Sequence, residues 1–416
     1  MKNKLLLYSD CFIFGGCENI VVNIIQSHEV QDLFEVHYAY ARNNDYQAGV
    51  DSKFRQFTAK YPLRVLSNTN LFYRIDLRVR SRYVAFILKL PFVLLQRLGV
   101  HTVYNFLRLY LFFKKQNPDI LHINNGGYPA APSCLVAVFS AKAAGIKHIV
   151  FNVNNLAQPQ KSVLDKLVDK YIEKNVSCFI TASAMARAKL MENRGFPPDK
   201  VVQIFNAMGK ESVVKSREAL LADFGVTPDK FVLVTVALLT ERKGQIVLLK
   251  ALYDLQWRNV QIFNKLMLFL VGDGEDRGKL ENFIKEHRLT DKVIMTGFRS
   301  DYYDIINAAD LFILPSLRNE DMPLVILSAM GLGKAVVSSK VAGIVEEIRD
   351  GVDGVLLDPA ALHTLPLVIE ELYGNRTLRD RYGESAKQRY RDLFSMEKVV
   401  AAYISIYRKI LSPITN

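Results

Sequence analysis

The chain has 416 residues, two to three times the length of a typical domain, so we expect two domains. Half of its residues are hydrophobic and 23% are charged, which is typical of a globular protein with a large core and excludes a disordered chain. Its formal charge of +12 is unevenly distributed: residues 1–220 carry 29 Lys+Arg and 16 Asp+Glu, and residues 221–416 carry the remaining 25 and 26. Four cysteines without CxxC spacing indicate no disulfide framework and favour a reducing cytoplasm.

No stretch of the sequence predicts a membrane span, which needs about 20 apolar residues. The best candidate, residues 83–113, is interrupted by charged residues and by Pro91, which we expect to break any continuous helix there. The first residues mimic a signal peptide, but Asp10 ends their apolar run too soon. We therefore expect a chain that does not cross a membrane, although it is suited to lie on one.

Short apolar runs alternate with helix-length segments, which predicts an α/β fold of two doubly wound parallel-sheet, Rossmann-like domains facing a cleft. The predicted strands of the first domain are Lys4–Tyr8, Phe34–Ala41, Ile120–Ile123, His148–Val153 and Cys178–Thr181. Those of the second domain are Phe231–Val236, Leu266–Val271, Lys292–Thr296, Leu311–Leu314 and Ala335–Ser339. The polar stretch 206–230 predicts the boundary, giving domains 1–212 and 213–395, and an amphipathic helix over Met396–Leu411 opens the terminal segment 396–416.

The first predicted strand leads into paired glycines, Gly15 and Gly16, followed by a helix. Such glycines let backbone N–H groups approach a ligand, and a helix start favours anions. A tight strand-to-helix turn without a ligand explains the same pattern equally well.

Residues 71–115 form a basic aromatic segment, with nine Lys and Arg against the single acid Asp76. On a helical wheel Arg74, Arg78, Arg82 and Lys89 fall within about 80° of one another. Such a stripe suits an interfacial helix on anionic lipid, and a soluble polyanionic glycan would also be attracted. The alternative is a solvated basic face with its aromatic side chains in the core. Nucleic acid is not expected as a partner, because no recognised nucleic-acid-binding fold accompanies the segment.

Two groups in the second half follow strand ends. Arg242 and Lys243 lie just beyond one strand, where their charges suit a diphosphate, although solvated surface charge explains them too. The turn Gly297, Phe298 and Arg299 is placed to present main-chain groups to a nucleobase, or is a plain turn.

The most informative stretch follows the strand that ends at Pro315. A polar loop carries Glu320 and Asp321, and Pro323 is predicted in the first turn of an apolar helix. The free N–H groups of that turn favour an anion, and Glu320 is placed to accept sugar hydroxyls. A lone carboxylate before a helix is more often a cap.

Several motifs together make the chain resemble the retaining GT-B glycosyltransferases of family 4. They are Gly15-Gly16-Cys-Glu18, Ile204-Phe-Asn206, Arg242-Lys243-Gly244, Val271-Gly-Asp-Gly, Met295-Thr-Gly-Phe-Arg, Ala309-Asp-Leu-Phe-Ile-Leu-Pro-Ser316, Glu320-Asp-Met-Pro-Leu with the following Ser-Ala-Met-Gly-Leu-Gly-Lys, and Val341-Ala-Gly-Ile-Val-Glu-Glu347. In order and spacing they extend from Gly15 to about residue 358, closely in the second half and more loosely in the first.

The resemblance implies a nucleotide-sugar donor bound mainly by the second domain and an acceptor held by the first. It also implies that the C-terminal helix of segment 396–416 returns to pack on the first domain. Glu320 is implied to contact the donor sugar, Lys243 to neutralise the diphosphate with Arg242 beside it, and Gly16 to approach the diphosphate. Main-chain groups of Asp321, Met322, Pro323 and Leu324 are implied to meet sugar and diphosphate, and Gly297, Phe298 and Arg299 to lie near the base. No metal or other cofactor is expected, because the family needs none and no DxD motif is present.

Three positions depart from the family pattern. Ser328 replaces a glutamate that usually holds the ribose hydroxyls, Leu238 replaces an arginine, and Asn154 follows a strand where many relatives have histidine. Asn154 can hydrogen-bond a sugar hydroxyl but cannot shuttle a proton. In the family's retaining mechanism the leaving phosphate deprotonates the acceptor, so these changes are compatible with activity.

The sequence thus predicts a retaining, metal-independent glycosyltransferase using a UDP- or GDP-sugar and a lipid-linked or polymeric glycan acceptor. We expect it in bacterial surface polysaccharide synthesis, such as lipopolysaccharide or capsule, as a cytoplasmic protein peripheral at the inner face of the cell membrane. The alternatives are transfer to a soluble or protein acceptor, and a catalytically weakened binding subunit.

Overall fold

The structure, a computed structural model, describes residues 2–11, 14–54, 59–79, 81–209 and 212–412. The chain divides into two compact units, one made of Met1–Ile204 with Val399–Asn416 and the other of Phe205–Lys398. Each unit contains a parallel sheet with helices between successive strands, so the predicted pair of doubly wound, Rossmann-like domains is confirmed.

The first unit contains a seven-stranded sheet in the order β3-β2-β1-β4-β5-β6-β7. Its central strands are continuous apolar runs such as Leu5–Tyr8, fully buried as strands covered on both faces must be. The bounds are β1 Asn3–Ser9, α1 Gly16–Ile25, α2 His28–Leu33, β2 Phe34–Ala41, α3 Asn44–Lys53, β3 Ala59–Leu63, α4 Asn68–Arg78, α5 Arg82–Arg97, α6 Val100–Gln116, β4 Ile120–Asn125, α7 Pro132–Ala143, β5 His148–Val153, α8 Val163–Asn175, β6 Cys178–Thr181, α9 Ala184–Arg194 and β7 Val201–Gln203.

The second unit contains a six-stranded sheet in the order β10-β9-β8-β11-β12-β13, also parallel. Short 3₁₀ turns cover Glu241–Lys243 and Pro359–Thr364. The bounds are α10 Arg217–Asp223, β8 Phe231–Val236, α11 Gln245–Arg258, α12 Val260–Lys265, β9 Leu266–Val271, α13 Arg277–Glu286, β10 Val293–Gly297, α14 Tyr302–Ala308, β11 Leu311–Leu314, α15 Leu324–Gly331, β12 Val336–Ser339, α16 Ile344–Glu347, β13 Gly354–Leu357, α17 Leu365–Gly374 and α18 Arg376–Leu393.

Each sheet changes winding direction at one pair of neighbouring strands. In the first sheet the pair is β1 and β4, and in the second it is β8 and β11. Ligands of doubly wound sheets bind beyond the carboxyl ends of the strands at this point. We therefore expect ligand-binding residues in the loops after β1, β4, β8 and β11.

The division between the units lies at 204/205, whereas we predicted 212/213. The residues just after it make their contacts within the second unit: Phe205 packs edge-on against Phe394 at 5.1 Å between ring centroids, and Asn206 donates a hydrogen bond to the Met322 carbonyl. The polar composition of residues 206–230 predicted a boundary within that stretch, and composition does not reveal these two contacts at its start.

The last helix, α19, spans Met396–Leu411 as its sequence pattern predicts, and its part from Val399 onward belongs to the first unit. Its buried face carries two tyrosine hydroxyls to the first sheet. Asn152 donates to the Tyr403 hydroxyl at 2.8 Å, and the Tyr407 hydroxyl is hydrogen-bonded to His122 Nδ1 at 2.7 Å. Burial lowers the pKa of His122 to about 4, so its imidazole is neutral near pH 7.

The basic aromatic segment folds differently from the prediction. α5 continues through Pro91, because an internal proline removes one helical hydrogen bond while the leucine-rich turns on either side keep theirs. The helical-wheel stripe does not form, since α4 carrying Arg74 and Arg78 ends before α5 carrying Arg82 and Lys89 begins. The Arg74 side chain lies outside the described residues.

Among the helices that the structure describes, none is long and apolar enough by itself to cross a membrane. α5 and α6 reach that length and composition only as a pair, and they are bent by 60° at the break between them.

Candidate functional site

In the second unit the loops after β8 and β11 are held together by backbone contacts. Gly244, with φ +71°, packs so closely on the Pro315 carbonyl that a Cβ there would overlap it. Leu317 N–H donates to the Arg242 carbonyl at 2.7 Å. The glycine after Lys243 is thus required for the two loops to meet, and it fixes the Arg242–Lys243 pair beside the Glu320 loop.

A buried carboxylate between two cations is the centre of this site. Glu320 Oε1 lies 2.5 Å from Lys243 Nζ and 2.9 Å from Arg242 Nη1, and it accepts a hydrogen bond from Ser316 Oγ at 3.2 Å. Arg242 also donates to the Asn319 carbonyl at 3.1 Å. Glu320 and Lys243 are only 5% and 9% exposed, so their pairing is poorly screened by water.

The Lys243 ammonium is perturbed by this burial. Desolvation lowers its pKa, and the opposing attraction of Glu320 only partly offsets the effect. An added anion at this position would favour the charged ammonium. The Lys243 environment therefore suits a lysine that binds an anionic group.

A further carboxyl side chain is buried close by, on the short helix α16. Glu347 is fully buried, and neither of its oxygens has a hydrogen-bond partner. Burial first, and then the charges of Asp321 and Glu320, raise its pKa well above the ordinary value, with Lys243 opposing. The sequence motif contained Glu347 but assigned it no role; its apolar neighbours are the signal that would have predicted its burial.

The loop continues into α15 with close backbone packing. A Cβ on Gly343 would lie 2.5 Å from the Asp321 carbonyl oxygen and 2.7 Å from its Oδ1. Met322 is buried and its carbonyl is bonded to Asn206. The helix begins at Leu324, so Pro323 is the residue preceding the helix and not within its first turn as predicted; its ψ of 115° is extended.

Ser328 lies one turn into α15 and is buried. Its hydroxyl donates to the Leu324 carbonyl at 3.1 Å, the local bond that serine commonly makes inside a helix. That carbonyl belongs to the residue four positions earlier in the same helix, so the Ser328 hydroxyl hydrogen-bonds to the backbone of its own helix.

Gly297, Phe298 and Arg299 form a separate turn at the end of β10. Gly297 has φ +71° and its carbonyl accepts from Gly272 N–H, while Phe298 is 84% exposed. Arg299 makes two hydrogen bonds of 2.6 and 2.7 Å to Asp301, which hold the pKa of that carboxyl below its usual range. The Arg299 guanidinium is thus already bound within the turn.

In the first unit, the loop after β1 leads into α1 at Gly16, with Gly15 as the residue preceding the helix. Glu18 reaches back to accept from Gly15 N–H at 3.1 Å and from Ser9 Oγ at 3.3 Å. Glu18 is buried, and burial raises its pKa. The glycine pair is therefore part of a capped helix start that brings a carboxyl group to the β1 end.

Asn154 follows β5 and hydrogen-bonds to the end of β4, next to the start of α1. Its amide donates to Asn124 Oδ1 at 2.7 Å and to the Asn125 carbonyl at 2.9 Å, and Asn124 in turn donates to the Cys17 carbonyl. Sequence reasoning missed Asn124 and Asn125, because two asparagines closing an apolar strand are easily taken for a turn.

Of the other basic residues predicted to meet acceptor or membrane, Arg78 and Arg82 are exposed. Lys89 is half-buried and its ammonium lies 2.5 Å from Asp76, over the ring of Phe72. One of the predicted cations is therefore neutralised within the chain. Among the described residues, no group of three or more His, Cys, Asp or Glu is arranged to hold a metal ion.

Comparison with known protein families gives matches over both units. Residues 59–208 match the sequence model described as Glycosyltransferase Family 4, and residues 216–389 match the one described as Glycosyl transferases group 1. The chain is 27% identical over 260 residues to an uncharacterized glycosyltransferase of Methanocaldococcus jannaschii, covering 60% of this chain and 62% of that protein.

Two further relatives are informative. The chain is 26% identical over 269 residues to the UDP-Gal:alpha-D-GlcNAc-diphosphoundecaprenol alpha-1,3-galactosyltransferase of Escherichia coli, covering 60% of this chain and 65% of that enzyme. The crystal structure of Anabaena HepE in complex with UDP superposes with a TM-score of 0.74 at 17% identity, over 98% of this chain and all of that one. The chain thus spans somewhat under two thirds of the length of these two curated relatives, and the structural match extends over 98% of the chain.

Proposed function

Because the chain belongs to the family 4 glycosyltransferases of the GT-B fold, also described as glycosyl transferases group 1, we propose that it transfers a sugar from a nucleotide-sugar to a glycan acceptor with retention of configuration. The observation that carries the proposal is the buried Glu320 between Arg242 and Lys243, at the switch point of the second sheet. The donor is a UDP- or GDP-sugar.

The proposed donor site uses the two cations and the start of α15 for the diphosphate. Lys243 supplies a point charge and Arg242 a guanidinium fork, and N–H groups at the start of α15 add partial positive charge. When the diphosphate pairs with these cations, Glu320 loses part of its own pairing with them and accepts hydrogen bonds from hydroxyl groups of the donor sugar. Main-chain groups from Asp321 to Leu324 line the same position.

In the proposed reaction the bond from the anomeric carbon to the diphosphate oxygen breaks, and a bond to the acceptor oxygen forms on the same face. The acceptor hydroxyl gives its proton to the leaving diphosphate. Lys243, Arg242 and the α15 start stabilise the negative charge that develops there, which is the function that a divalent ion has in other transferases. We propose that the reaction needs no metal, and expect activity to persist when a chelator is present.

The acceptor is proposed to be a lipid-linked or polymeric glycan of bacterial surface polysaccharide. The name of the Escherichia coli relative, which acts on a diphosphoundecaprenol-linked sugar, supports a lipid-linked acceptor. The charge of the first half supports it as well, because anionic cytoplasmic leaflets attract basic segments such as residues 71–115. The proposed location is the inner face of the cell membrane, with the protein peripheral to it.

The test is a panel of UDP- and GDP-sugars, incubated with and without a bacterial lipid extract, in which nucleotide release and lipid glycosylation are measured. We expect release that depends on the lipid extract with one donor. Glu320→Gln should lower kcat by about 100-fold or more, because the carboxylate contacts the reacting sugar. Ser328→Ala should change the KM of the donor by no more than about threefold, since the hydroxyl already bonds within α15.

The same Ser328 bond, with the Asn154 amide committed to Asn124, favours a second candidate, a catalytically weakened binding subunit. Donor binding without turnover for every sugar and acceptor tried would support that candidate and refute the enzyme. Full activity in Glu320→Gln would mean that the donor lies elsewhere.

A further inference from the structure

The bent helix pair of α5 and α6, residues 82–116, has an unusually apolar exposed surface. Among the described residues 32 large hydrophobic side chains are exposed, and 15 of them lie in these 35 residues. Tyr83, Phe86 and Leu98 are each more than 60% exposed. Soluble surfaces carry such side chains singly, so a cluster of this size indicates a binding surface.

The two helices differ in how they are attached to the first unit. α6 is fixed by Leu109 and Phe113, which are fully buried, and by Asn105, whose amide binds both the N–H and the carbonyl of Leu66. In α5 only Ala85 is buried. α5 is therefore apolar on nearly its whole circumference without being buried in the protein, a property of helices that are covered by lipid or by another molecule.

The charge of this helix pair distinguishes between these two possibilities. It contains six Lys and Arg, and no Asp or Glu occurs between Asp76 and Asp119. Arg82, Arg97 and Arg108 are exposed, as are two lysines at the end of α6. In a two-fold contact with a second copy this face would meet itself, and the cations would repel. Anionic lipid headgroups complement the same cations while the acyl region accepts the apolar side chains.

We propose that the α5–α6 helix pair inserts its apolar side chains into the headgroup–acyl boundary of an anionic membrane, with α5 lying in the plane of the interface. The inference rests on the proposed membrane location and specifies its physical basis. Contact occurs through these exposed apolar side chains, which lipid covers on binding, and the basic residues add attraction to anionic lipid. Because α5 packs on α4 and its Lys89 is paired with Asp76 of α4, Lys89 contributes its apolar stem to the contact and not its charge.

The first test is sedimentation of the full chain with vesicles of phosphatidylcholine in which about one lipid in three is the anionic phosphatidylglycerol. Binding through charge alone is lost in 1 M salt, where screening acts over about 3 Å. We expect a large fraction to stay bound in 1 M salt. The triple variant Phe86→Gln, Leu90→Gln, Leu94→Gln should lower the partition coefficient by about 100-fold and remove the salt-resistant fraction.

The matched control replaces an apolar triplet on α8 of the same unit that is at least as exposed, Val163→Gln, Leu164→Gln and Leu167→Gln; these side chains are 61–73% exposed, against 51–63% for the α5 triplet. We expect vesicle binding of this variant to equal that of the wild type. In both variants glutamine keeps helix propensity, and the positions are exposed, so both should keep the wild-type circular dichroism and Tm.

Insertion itself is measured by fluorescence. The chain has one tryptophan, the exposed Trp257 of the second unit, so a Trp257→Phe, Leu90→Trp variant reports from α5 alone. We expect a blue shift on vesicles and quenching by brominated acyl chains. Nucleotide release with a short-chain, water-soluble acceptor analogue should be unchanged in the glutamine variant, which separates a failure of the anchor from a failure of the proposed reaction.

Three results would overturn the proposal. Complete release in 1 M salt would mean electrostatic contact only. Equal vesicle binding by the two triple variants would place the contact elsewhere. A concentration-dependent dimer in lipid-free sedimentation velocity, abolished by the α5 substitutions, would make the helix pair an interface between copies of this chain.

Discussion

Replacing Gly343 by alanine tests whether backbone packing positions the Glu320 loop. The backbone at Gly343 has φ −69°, which alanine adopts readily, so the effect comes only from the added methyl group. That methyl would lie 2.5 Å from the Asp321 carbonyl oxygen and 2.7 Å from its Oδ1. An ordinary carbon–oxygen contact begins near ~3.4 Å, so the Asp321 segment must retreat by about 0.9 Å.

Two magnitudes follow from this displacement. Overpacking of a buried contact costs about 1–3 kcal/mol, which lowers the Tm of the second unit by about 3–9 °C. A misplacement of about 1 Å in a site that orients substrate lowers kcat/KM by about 100-fold. The activity loss should thus far exceed what the stability loss explains at temperatures where the variant is folded.

The assay combines thermal unfolding with donor-dependent nucleotide release. Gly278→Ala is the matched control, because the same methyl group enters open space within α13. We expect the control to keep full activity and an unchanged or slightly raised Tm. Wild-type kcat/KM in Gly343→Ala would refute the claim that this contact positions the loop, and an equal loss in Gly278→Ala would attribute the effect to glycine replacement in general.

The remaining predictions concern buried polar groups. Glu347→Gln should become progressively more stable relative to the wild type as pH rises above about 4.5. The buried carboxyl of the wild type has a raised pKa, so the wild type loses up to about 1.4 kcal/mol of unfolding free energy per pH unit until the pH reaches the folded-state pKa. A difference between the urea midpoints of the two proteins that is the same at pH 5 and pH 8 would contradict this. Asn105→Ala leaves the Leu66 N–H and carbonyl without their partners and should cost about 2–4 kcal/mol, measurable by urea unfolding, whereas a loss under 0.5 kcal/mol would mean that water replaces the amide. Tyr407→Phe removes the hydrogen-bond partner of His122 Nδ1 and should lower the free energy of unfolding by about 1–3 kcal/mol. A rise in the pKa of His122, measured by NMR titration, would mean that water reaches the imidazole and would contradict this prediction.

The fold was predictable to the extent that its strands are central in their sheets. β2, β5, β6, β8, β9 and β11 have the predicted bounds because central parallel strands are continuous apolar runs. The strands that the sequence did not reveal are β3, β7 and β13, and each lies at a sheet edge. An edge strand is paired on one side only, and β3 (Ala59–Leu63) even includes a proline, which only an edge tolerates.

The sequence predicted those parts of the site that depend on residue type. It did not predict which hydrogen-bond partner a given side chain has. Arg242, Lys243 and Glu320 follow strand ends, and the structure brings these three side chains together. The hydrogen bond within α15 that Ser328 makes and the Arg299 pair with Asp301 depend on side-chain direction, which spacing does not determine. The separation of α4 from α5 likewise depends on the packing of the two helices, and a helical wheel drawn through both misassigns the basic face.

The return of α19 to the first unit has a consequence for synthesis of the protein. Residues 1–204 leave the ribosome first, yet His122 and Asn152 obtain their tyrosine partners only when residues 403 and 407 have been translated. The whole second unit, residues 205–398, is made in between and is contiguous, so it is able to complete its own folding earlier than the unit that precedes it. The first unit is therefore able to complete its fold only after the second unit has been translated, and until α19 docks, its sheet lacks the partners of His122 and Asn152.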